Sequence, residues 1–343
     1  MILSPSGAGT GRFCRTRNLA LVLSALLSAS AAHAVTPLLD ACALVLSPSD
    51  ALLDVPFDLV DGRIYVETQV DGTGPFRFAV DTGASGIARA DARLVDAVRL
   101  PRDGRTDNTD GVSTAQADTV RLRSLALGAL RHEDVVAITR DYNARQSVAA
   151  AFDGILAREF FSDGLLAIDY PRRRLLFSRT HGLSTDQPGA LAYTRPFRIP
   201  ISIGDLQVEA QLDTGANVTL VLPQVAYDAM PHAAAMTQDR LTLSNGDIEG
   251  GRTRLYGPLR IGALSLSDFE VRVSASFPEV LIGAHAVQNS VLLIDQRSQR
   301  LAVCVPDSPV ADYPRQPGHE HTSVSPAPES LIARMSAIGR KTT

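Results

Sequence analysis

The stretch FAVDTGA, from Phe78 to Ala84, decides the fold because it returns once along the chain in nearly the same form. Its second copy, AQLDTGA, runs from Ala210 to Ala216. In both copies an apolar strand pattern leads into Asp-Thr-Gly. A single Asp-Thr-Gly is a common turn tripeptide, so one copy alone carries little weight. Two copies at matched places instead predict a duplicated unit.

Three more features recur in the same order around this tripeptide. The matched pairs are LALGAL at 125–130 with LRIGAL at 259–264, ILA at 155–157 with LIG at 281–283, and LAID at 166–169 with LLID at 292–295. Four matched features in one order predict two homologous lobes, at residues 52–180 and 195–306.

Each lobe is predicted to consist mainly of β-strands, because short stretches alternate β-branched and polar residues between Gly and Asp turns. The predicted strands are 64–70, 76–80, 119–127, 135–138 and 165–168 in the first lobe and 199–203, 206–212 and 269–273 in the second. Short helices are predicted at 91–98, 156–161 and 284–288. Residues 184–196, rich in Pro, Gly and polar side chains, are predicted to cross between the lobes.

The N-terminal segment has the pattern of a secretory signal peptide. Arginines precede a short apolar run at 19–27, and Ala-His-Ala at 32–34 offers a small-x-small cleavage site. We therefore expect residues 1–34 to be removed, leaving a periplasmic or secreted protein. The apolar run is too short to span a bilayer, so no stable membrane insertion is expected after cleavage. A lipid anchor at Cys42 is the alternative.

The composition is that of a folded protein that does not bind nucleic acid. Of the 343 residues, 45% are hydrophobic and 20% charged, and the formal net charge is -4. A protein that binds the phosphate backbone of nucleic acids needs an excess of Lys and Arg, which this chain lacks. Residues 307–343 are rich in Pro and polar residues and are predicted to be a disordered tail. The His-Glu-His at 319–321 offers too few ligands on such a tail for a metal site, so we expect neither a metal nor a cofactor.

The chemistry therefore lies in the repeated Asp-Thr-Gly. If the two lobes pack about a pseudo-twofold axis, Asp81 and Asp213 meet at that axis. Two carboxyl groups so close share one proton, because like charges cannot comfortably both ionise. One carboxylate can then take a proton from water while the other, protonated, donates to the carbonyl oxygen under attack.

With both tripeptides and the later apolar-apolar-Gly in place, the sequence resembles the aspartic proteases, and within them the bacterial retropepsin-like family. The resemblance covers both lobes. It implies an all-β fold with one β-barrel per lobe and a cleft between the lobes, covered by hairpin flaps at 103–118 and 244–254. It makes Asp81 and Asp213 the catalytic pair, and it implies that the hydroxyls of Thr82 and Thr214 brace the lobes beneath them. Gly83 and Gly215 complete the two motifs.

The resemblance implies an aspartic endopeptidase that acts as a monomer on extended polypeptides. One departure from the family pattern is Ala157, which stands where the family has Gly, whereas the second lobe keeps Gly283. The alternative is a peptide-binding protein of the same fold, in which Ala157 or a closed flap has abolished activity.

Two cysteines remain after signal cleavage, Cys42 and Cys304. In an oxidising compartment an even number of cysteines favours pairing. Cys42 precedes the first lobe and Cys304 ends the second, and the family resemblance implies that the chain ends lie near each other. We predict a disulfide between them.

Overall fold

The computed structural model describes residues 39–44, 49–230 and 235–306. The predicted signal peptide at 1–34 and the predicted disordered tail at 307–343 lie outside the described residues. Within the described part of the chain, no helix is long and apolar enough to cross a membrane.

The described residues of the first half of the chain form eleven strands. These are β1 (Leu53–Pro56), β2 (Asp58–Val60), β3 (Arg63–Val70), β4 (Thr73–Asp81), β5 (Ala88–Asp91), β6 (Arg102–Thr109), β7 (Thr114–Leu127), β8 (Leu130–Arg140), β9 (Gly154–Ala157), β10 (Leu165–Asp169) and β11 (Arg174–Ser178). The helical elements among them are α1 (Ala92–Val98) and the 3-10 helices Val148–Ala150 and Arg158–Phe161, with a further 3-10 turn at Ala41–Ala43 before β1.

The second half repeats this sequence of elements with variations. Its strands are β12 (Leu191–Ala192), β13 (Arg198–Ile203), β14 (Leu206–Asp213), β15 (Leu220–Pro223), β16 (Thr237–Leu243), β17 (Gly246–Leu255), β18 (Leu259–Ile261), β19 (Leu264–Leu266), β20 (Phe269–Ser274), β21 (Val280–Gly283), β22 (Val291–Asp295) and β23 (Arg300–Cys304). Its helices are α2 (Gln224–Asp228) and α3 (Ala284–Val287).

Each lobe has its own sheet. The first-lobe sheet has the order β2-β3-β4-β9-β5-β8-β7-β6, and an additional pairing between β3 and β7 curls it toward a barrel. The second-lobe sheet has the order β16-β17-β20-β15-β21-β14-β13-β18-β19. In both sheets the strand that ends in Asp-Thr-Gly runs parallel to the strand of the apolar motif, as β4 with β9 and β14 with β21. The predicted all-β, two-lobed fold is therefore confirmed.

A third sheet joins the lobes, and the sequence did not predict it. Its order is β1-β11-β10-β22-β23-β12, so the two copies of the LAID motif lie side by side. They pair antiparallel, with Ala167 opposite Leu293 at the centre. Because an antiparallel pair of equivalent strands has local twofold symmetry, this sheet sets the pseudo-twofold relation between the lobes.

The strands that carry the Asp-Thr-Gly tripeptides are anchored in one continuous hydrophobic core. In the first lobe Phe78 and Val80 are buried against Leu156, and in the second Leu212 is buried against Ile282. Strands with buried neighbours on both edges hold the residues at their ends rigidly.

The predicted strands are found, most of them longer at one or both ends. The helix predicted at 156–161 is wrong at its start, because Leu156 and Ala157 belong to β9 and the helical turn begins at Arg158. The apolar residues there serve strand pairing in the core. Helix α2 was not predicted at all. The crossing at 184–196 contains β12, which adds an edge strand to the shared sheet.

The disulfide prediction is confirmed: a disulfide bond joins Cys42 and Cys304. Cys42 lies in the 3-10 turn Ala41–Ala43, and Cys304 is the last residue of β23. The bond ties the segment before the first lobe to the final strand of the shared sheet.

Candidate active site

Asp81 and Asp213 are the last residues of equivalent strands, β4 and β14. Asp81 lies opposite Ala157 and Asp213 opposite Gly283 in the two parallel pairings. The chain must turn immediately after each aspartate, and a glycine stands two positions later in both lobes. The strand ends therefore present two partly buried carboxylates from the edge of the core.

The two glycines bring these carboxylates together. A methyl group built on Gly83 would lie within 2.7 Å of all three carboxyl-group atoms of Asp213. A methyl group built on Gly215 would crowd the carboxylate of Asp81 in the same way. Each glycine thus lies against the aspartate of the opposite lobe, and only a residue without a side chain allows this approach.

The two threonines join the lobes beneath the carboxylates. The backbone N–H of Thr82 donates to Oγ1 of Thr214 at 3.2 Å, and that of Thr214 donates to Oγ1 of Thr82 at 3.0 Å. Each hydroxyl in turn donates across the axis, from Thr82 to the carbonyl of Leu212 at 3.4 Å and from Thr214 to that of Val80 at 3.1 Å. Both side chains are buried, so these hydrogen bonds are shielded from water.

The aspartates each accept a hydrogen bond from the turn that follows them. The N–H of Ala84 donates to Oδ1 of Asp81 at 2.9 Å, and the N–H of Gly215 donates to Oδ1 of Asp213 at 2.8 Å. Burial and then the negative charge of Asp81 raise the pKa of Asp213 to about 8, against the smaller lowering effect of the Gly215 N–H. The pair therefore retains a proton at neutral pH.

Arg63 ties the first lobe to the second-lobe turn, and nothing in the repeated motifs predicted this. Its Nε donates to the carbonyl of Gly215 at 2.6 Å, and its Nη2 donates to Oδ1 of Asn217 at 3.1 Å. Asn217 also donates to Asp61 at 2.6 Å. These partners are more than 150 positions from Arg63 along the chain, so no local pattern could reveal them. They hold the turn after Asp213 in place from outside.

Ala157 is fully buried at the end of β9, and the turn that it faces differs from the turn around the equivalent Gly283. Gly283 has no room for a methyl group, which would lie 2.6 Å from the carbonyl oxygen of Ala216 and closer still to that of Val218. The first lobe has Gly86 where the second has Val218, because their carbonyls accept from the N–H groups of the equivalent residues Glu159 and His285. Gly86 adopts a positive φ of 85°, which is open to glycine and reshapes the turn.

Two hairpins from opposite lobes meet at their tips. One is formed by β6 and β7, the other by β16 and β17. The Asn245 side chain at the second tip donates to the carbonyls of Asn108 and Ser113 at 3.0 and 2.8 Å, and its N–H donates to Asp110 at 2.8 Å. The flap prediction at 103–118 matches the first tip. The second hairpin begins at Thr237, earlier than the predicted 244–254.

The first hairpin also reaches the wall of the second lobe. Val112 at its tip packs against a cluster that includes Val218 and Leu281. Val218 lies in the turn after Asp213, and Leu281 lies on β21 two residues before Gly283, which pairs with Asp213. The hairpin tip thus packs against the second-lobe elements that carry and flank Asp213.

The family model described as aspartyl protease matches residues 66–168 and 199–286, together more than half of the chain. The chain belongs to the aspartyl protease family. The two matches fall one in each lobe and are consistent with a retropepsin-like, two-lobed aspartyl protease. The comparison with curated proteins gives no match.

Proposed function

We propose that this aspartyl protease is an endopeptidase that hydrolyses peptide bonds with a water molecule activated by Asp81 and Asp213. The observation that carries the proposal is the carboxylate pair itself, held together by Gly83 and Gly215 and by the four threonine hydrogen bonds. A rigid pair that keeps one proton at neutral pH is suited to acid and base roles in one reaction.

In the proposed reaction, Asp213 carries the shared proton and Asp81 is ionised. The ionised carboxylate takes a proton from a water molecule lying between the two groups, and the water oxygen attacks the carbonyl carbon of the scissile peptide bond. Asp213 donates its proton to the carbonyl oxygen, which gives a tetrahedral diol. Asp81 then passes the proton that it took from water to the peptide nitrogen, and Asp213 takes back a proton from a hydroxyl of the diol. The C–N bond breaks, a carboxylic acid and an amine leave, and the pair again holds one proton. No metal or cofactor takes part in these steps.

The substrate is proposed to be a polypeptide bound in an extended conformation between the lobes and the two hairpins. Exposed hairpin strands can pair with an extended peptide through backbone hydrogen bonds. Since one chain supplies both aspartates, the protein is proposed to act as a monomer. Export to the periplasm or the exterior is proposed from the N-terminal sequence, and the Cys42–Cys304 disulfide supports it.

The test is cleavage of denatured casein by the purified protein over an acid-to-neutral pH series, with and without a transition-state-mimic inhibitor of aspartic proteases. Inhibitor-sensitive cleavage supports the proposal. Absence of cleavage by the folded protein at every pH contradicts it. If the same protein nevertheless binds extended peptides, the alternative of an inactive peptide-binding protein is favoured.

A further inference from the structure

Arg89 is a buried cation on the wall of the first lobe, close to the carboxylate pair. It lies in β5 between Ala88 and Ala90, which face the hydrophobic core. Because strand residues alternate between faces, Arg89 points to the opposite face, where Ile155 lies opposite it on β9. Only 7% of the residue is exposed.

Only some of the hydrogen-bond donors of the Arg89 guanidinium have partners. Its Nη2 donates to the carbonyl and the hydroxyl of Ser85 at 3.2 and 3.3 Å. Ser85 lies four positions after Asp81, so this contact places the guanidinium beside the turn that follows Asp81. In the described part of the chain, the buried Nη1 has no hydrogen-bond partner. A buried cation with an unused donor is costly, so an anion that accepts from Nη1 would stabilise it.

A second unused donor lies nearby. Among the described residues, the buried hydroxyl of Tyr142 also has no hydrogen-bond partner. Burial raises the pKa of Tyr142, while the charges of Arg89 and Arg140 and a direct interaction of the hydroxyl with the Arg89 side chain oppose that rise. The tyrosine packs with Ile155, Phe152 and Ala84 in one cluster on this wall. The hydroxyl hydrogen of Tyr142 and Nη1 of Arg89 therefore lie side by side and fit the two oxygens of a carboxylate.

The second lobe provides a comparison, because Val221 occupies the position of Arg89. Arg89 lies opposite Ile155 on β9, and Val221 lies opposite Leu281 on β21, in matched registers of the repeat. Val221 belongs to an apolar cluster that includes Val112 from the first hairpin tip. The position therefore lies under the first hairpin in the second lobe, and the repeat gives Arg89 the equivalent position in the first lobe, with a charged side chain in place of an apolar one.

We propose that Arg89 and Tyr142 form an anion-binding subsite that selects substrates with an acidic side chain close to the scissile bond. The matching second-lobe position around Val221 takes an apolar side chain on the other side of the bond. This inference rests on the proposed function, because it assumes that the peptide lies beside Asp81. Nη1 of Arg140, which lies near Tyr142, donates to the carbonyl of Ser244 at the second hairpin tip at 2.8 Å. Because this hydrogen bond holds the hairpin over the subsite, the acidic side chain enters when the hairpins part.

The experiment compares internally quenched peptides that are identical except for Glu or Gln at each position around the cleaved bond. The purified full-length protein should cleave the Glu peptide with a kcat/KM about tenfold higher than the Gln peptide at one position, as expected for a charge-assisted hydrogen-bonded pair. Arg89→Gln should abolish this preference, and Tyr142→Phe should reduce it. Arg123→Gln removes an exposed arginine that pairs with Asp71 and serves as the control, which should keep the preference.

Three outcomes overturn the subsite while leaving the endopeptidase intact: equal cleavage of Glu and Gln peptides at every position, an unchanged preference in Arg89→Gln, or loss of the preference in Arg123→Gln. Should Arg89→Gln fail to fold, the Glu-over-Gln preference is measured in Arg89→Lys and Tyr142→Phe instead. Lys keeps the charge and should keep part of the preference, and Tyr142→Phe should reduce it. If no peptide is cleaved at all, the proposed function fails instead. Fluorescence anisotropy of the labelled Glu and Gln peptides on the same protein then tests the subsite, which requires tighter binding of the Glu peptide.

Discussion

The contrast between Gly283 and Ala157 allows a sharp test of how the lobes hold the catalytic turns. In Gly283→Ala the new methyl carbon would lie 2.6 Å from the carbonyl oxygen of Ala216 and 2.7 Å from a methyl group of Val218. Both residues belong to the turn that follows Asp213. Ordinary contact begins near 3.4 Å, so this turn must move by roughly 0.8 Å at Ala216 and by more at Val218, whose carbonyl oxygen lies closer still.

That displacement has two measurable consequences. Overpacking of this kind costs about 1–3 kcal/mol of unfolding free energy, measured by urea denaturation. Since misplacement of a reacting group by about 1 Å can cost about a hundredfold in rate, kcat/KM for peptide cleavage should fall by roughly that factor. The reverse change, Ala157→Gly, loses one buried methyl group and gains chain entropy in the unfolded state. It should lower the unfolding free energy by about 1–2 kcal/mol and preserve or raise activity.

A matched rescue completes the test. Adding Val218→Gly to Gly283→Ala recreates the combination of Gly86 and Ala157 found in the first lobe, and it should recover part of the lost stability and activity. A Gly283→Ala variant with the unfolding free energy and kcat/KM of the wild type would contradict this view of the turn. So would an Ala157→Gly variant that loses more of both than Gly283→Ala does.

Three further predictions concern pH, the disulfide and the hairpins. The stability that the raised pKa of Asp213 contributes is complete below pH 3.8 and is lost as the pH rises toward about 8, so the unfolding free energy of Asp213→Asn should exceed that of the wild type by a margin that grows with pH across this window, measured by urea denaturation. A gap that does not widen with pH would contradict this assignment. Replacing Cys42 and Cys304 by Ser opens a loop with a sequence separation of 262 and should lower the unfolding free energy by roughly 3–5 kcal/mol, and an unchanged urea midpoint would count against it. Asn245→Ala removes two side-chain hydrogen bonds to the first hairpin and should speed amide hydrogen exchange at 108–113, and protection equal to the wild type would show that the tips do not hold each other.

The duplicated fold could be predicted from sequence because the repeats carry it. Each apolar stretch before Asp-Thr-Gly is a buried strand, and the ILA and LIG motifs are its parallel neighbours. The shared sheet was hidden for a physical reason. The pairing of β10 with β22 joins residues more than 120 positions apart, and a buried strand shows which residues are apolar but not which strand lies beside it.

The candidate site was predictable only in part, for a similar reason. The aspartates, threonines and glycines repeat, so their type and position mark them. Arg63 and Arg89 have no repeated counterpart, since Val221 replaces Arg89 in the second lobe. Their importance comes from contacts across the lobes or from burial, which no local pattern encodes. Whether the first lobe accommodates Ala157 could not be predicted, because the turn that contains Gly86 lies far from Ala157 in sequence.

The most direct test of the central claim is the rate of peptide cleavage by Asp81→Asn and Asp213→Asn, each compared with the wild type at the same pH. Both variants should retain the fold, checked by circular dichroism and urea denaturation, because Asn keeps the shape of the side chain. Each variant should lose cleavage almost completely, since the reaction needs two carboxyl groups with one shared proton. Retention of most of the wild-type kcat/KM by either folded variant would contradict it.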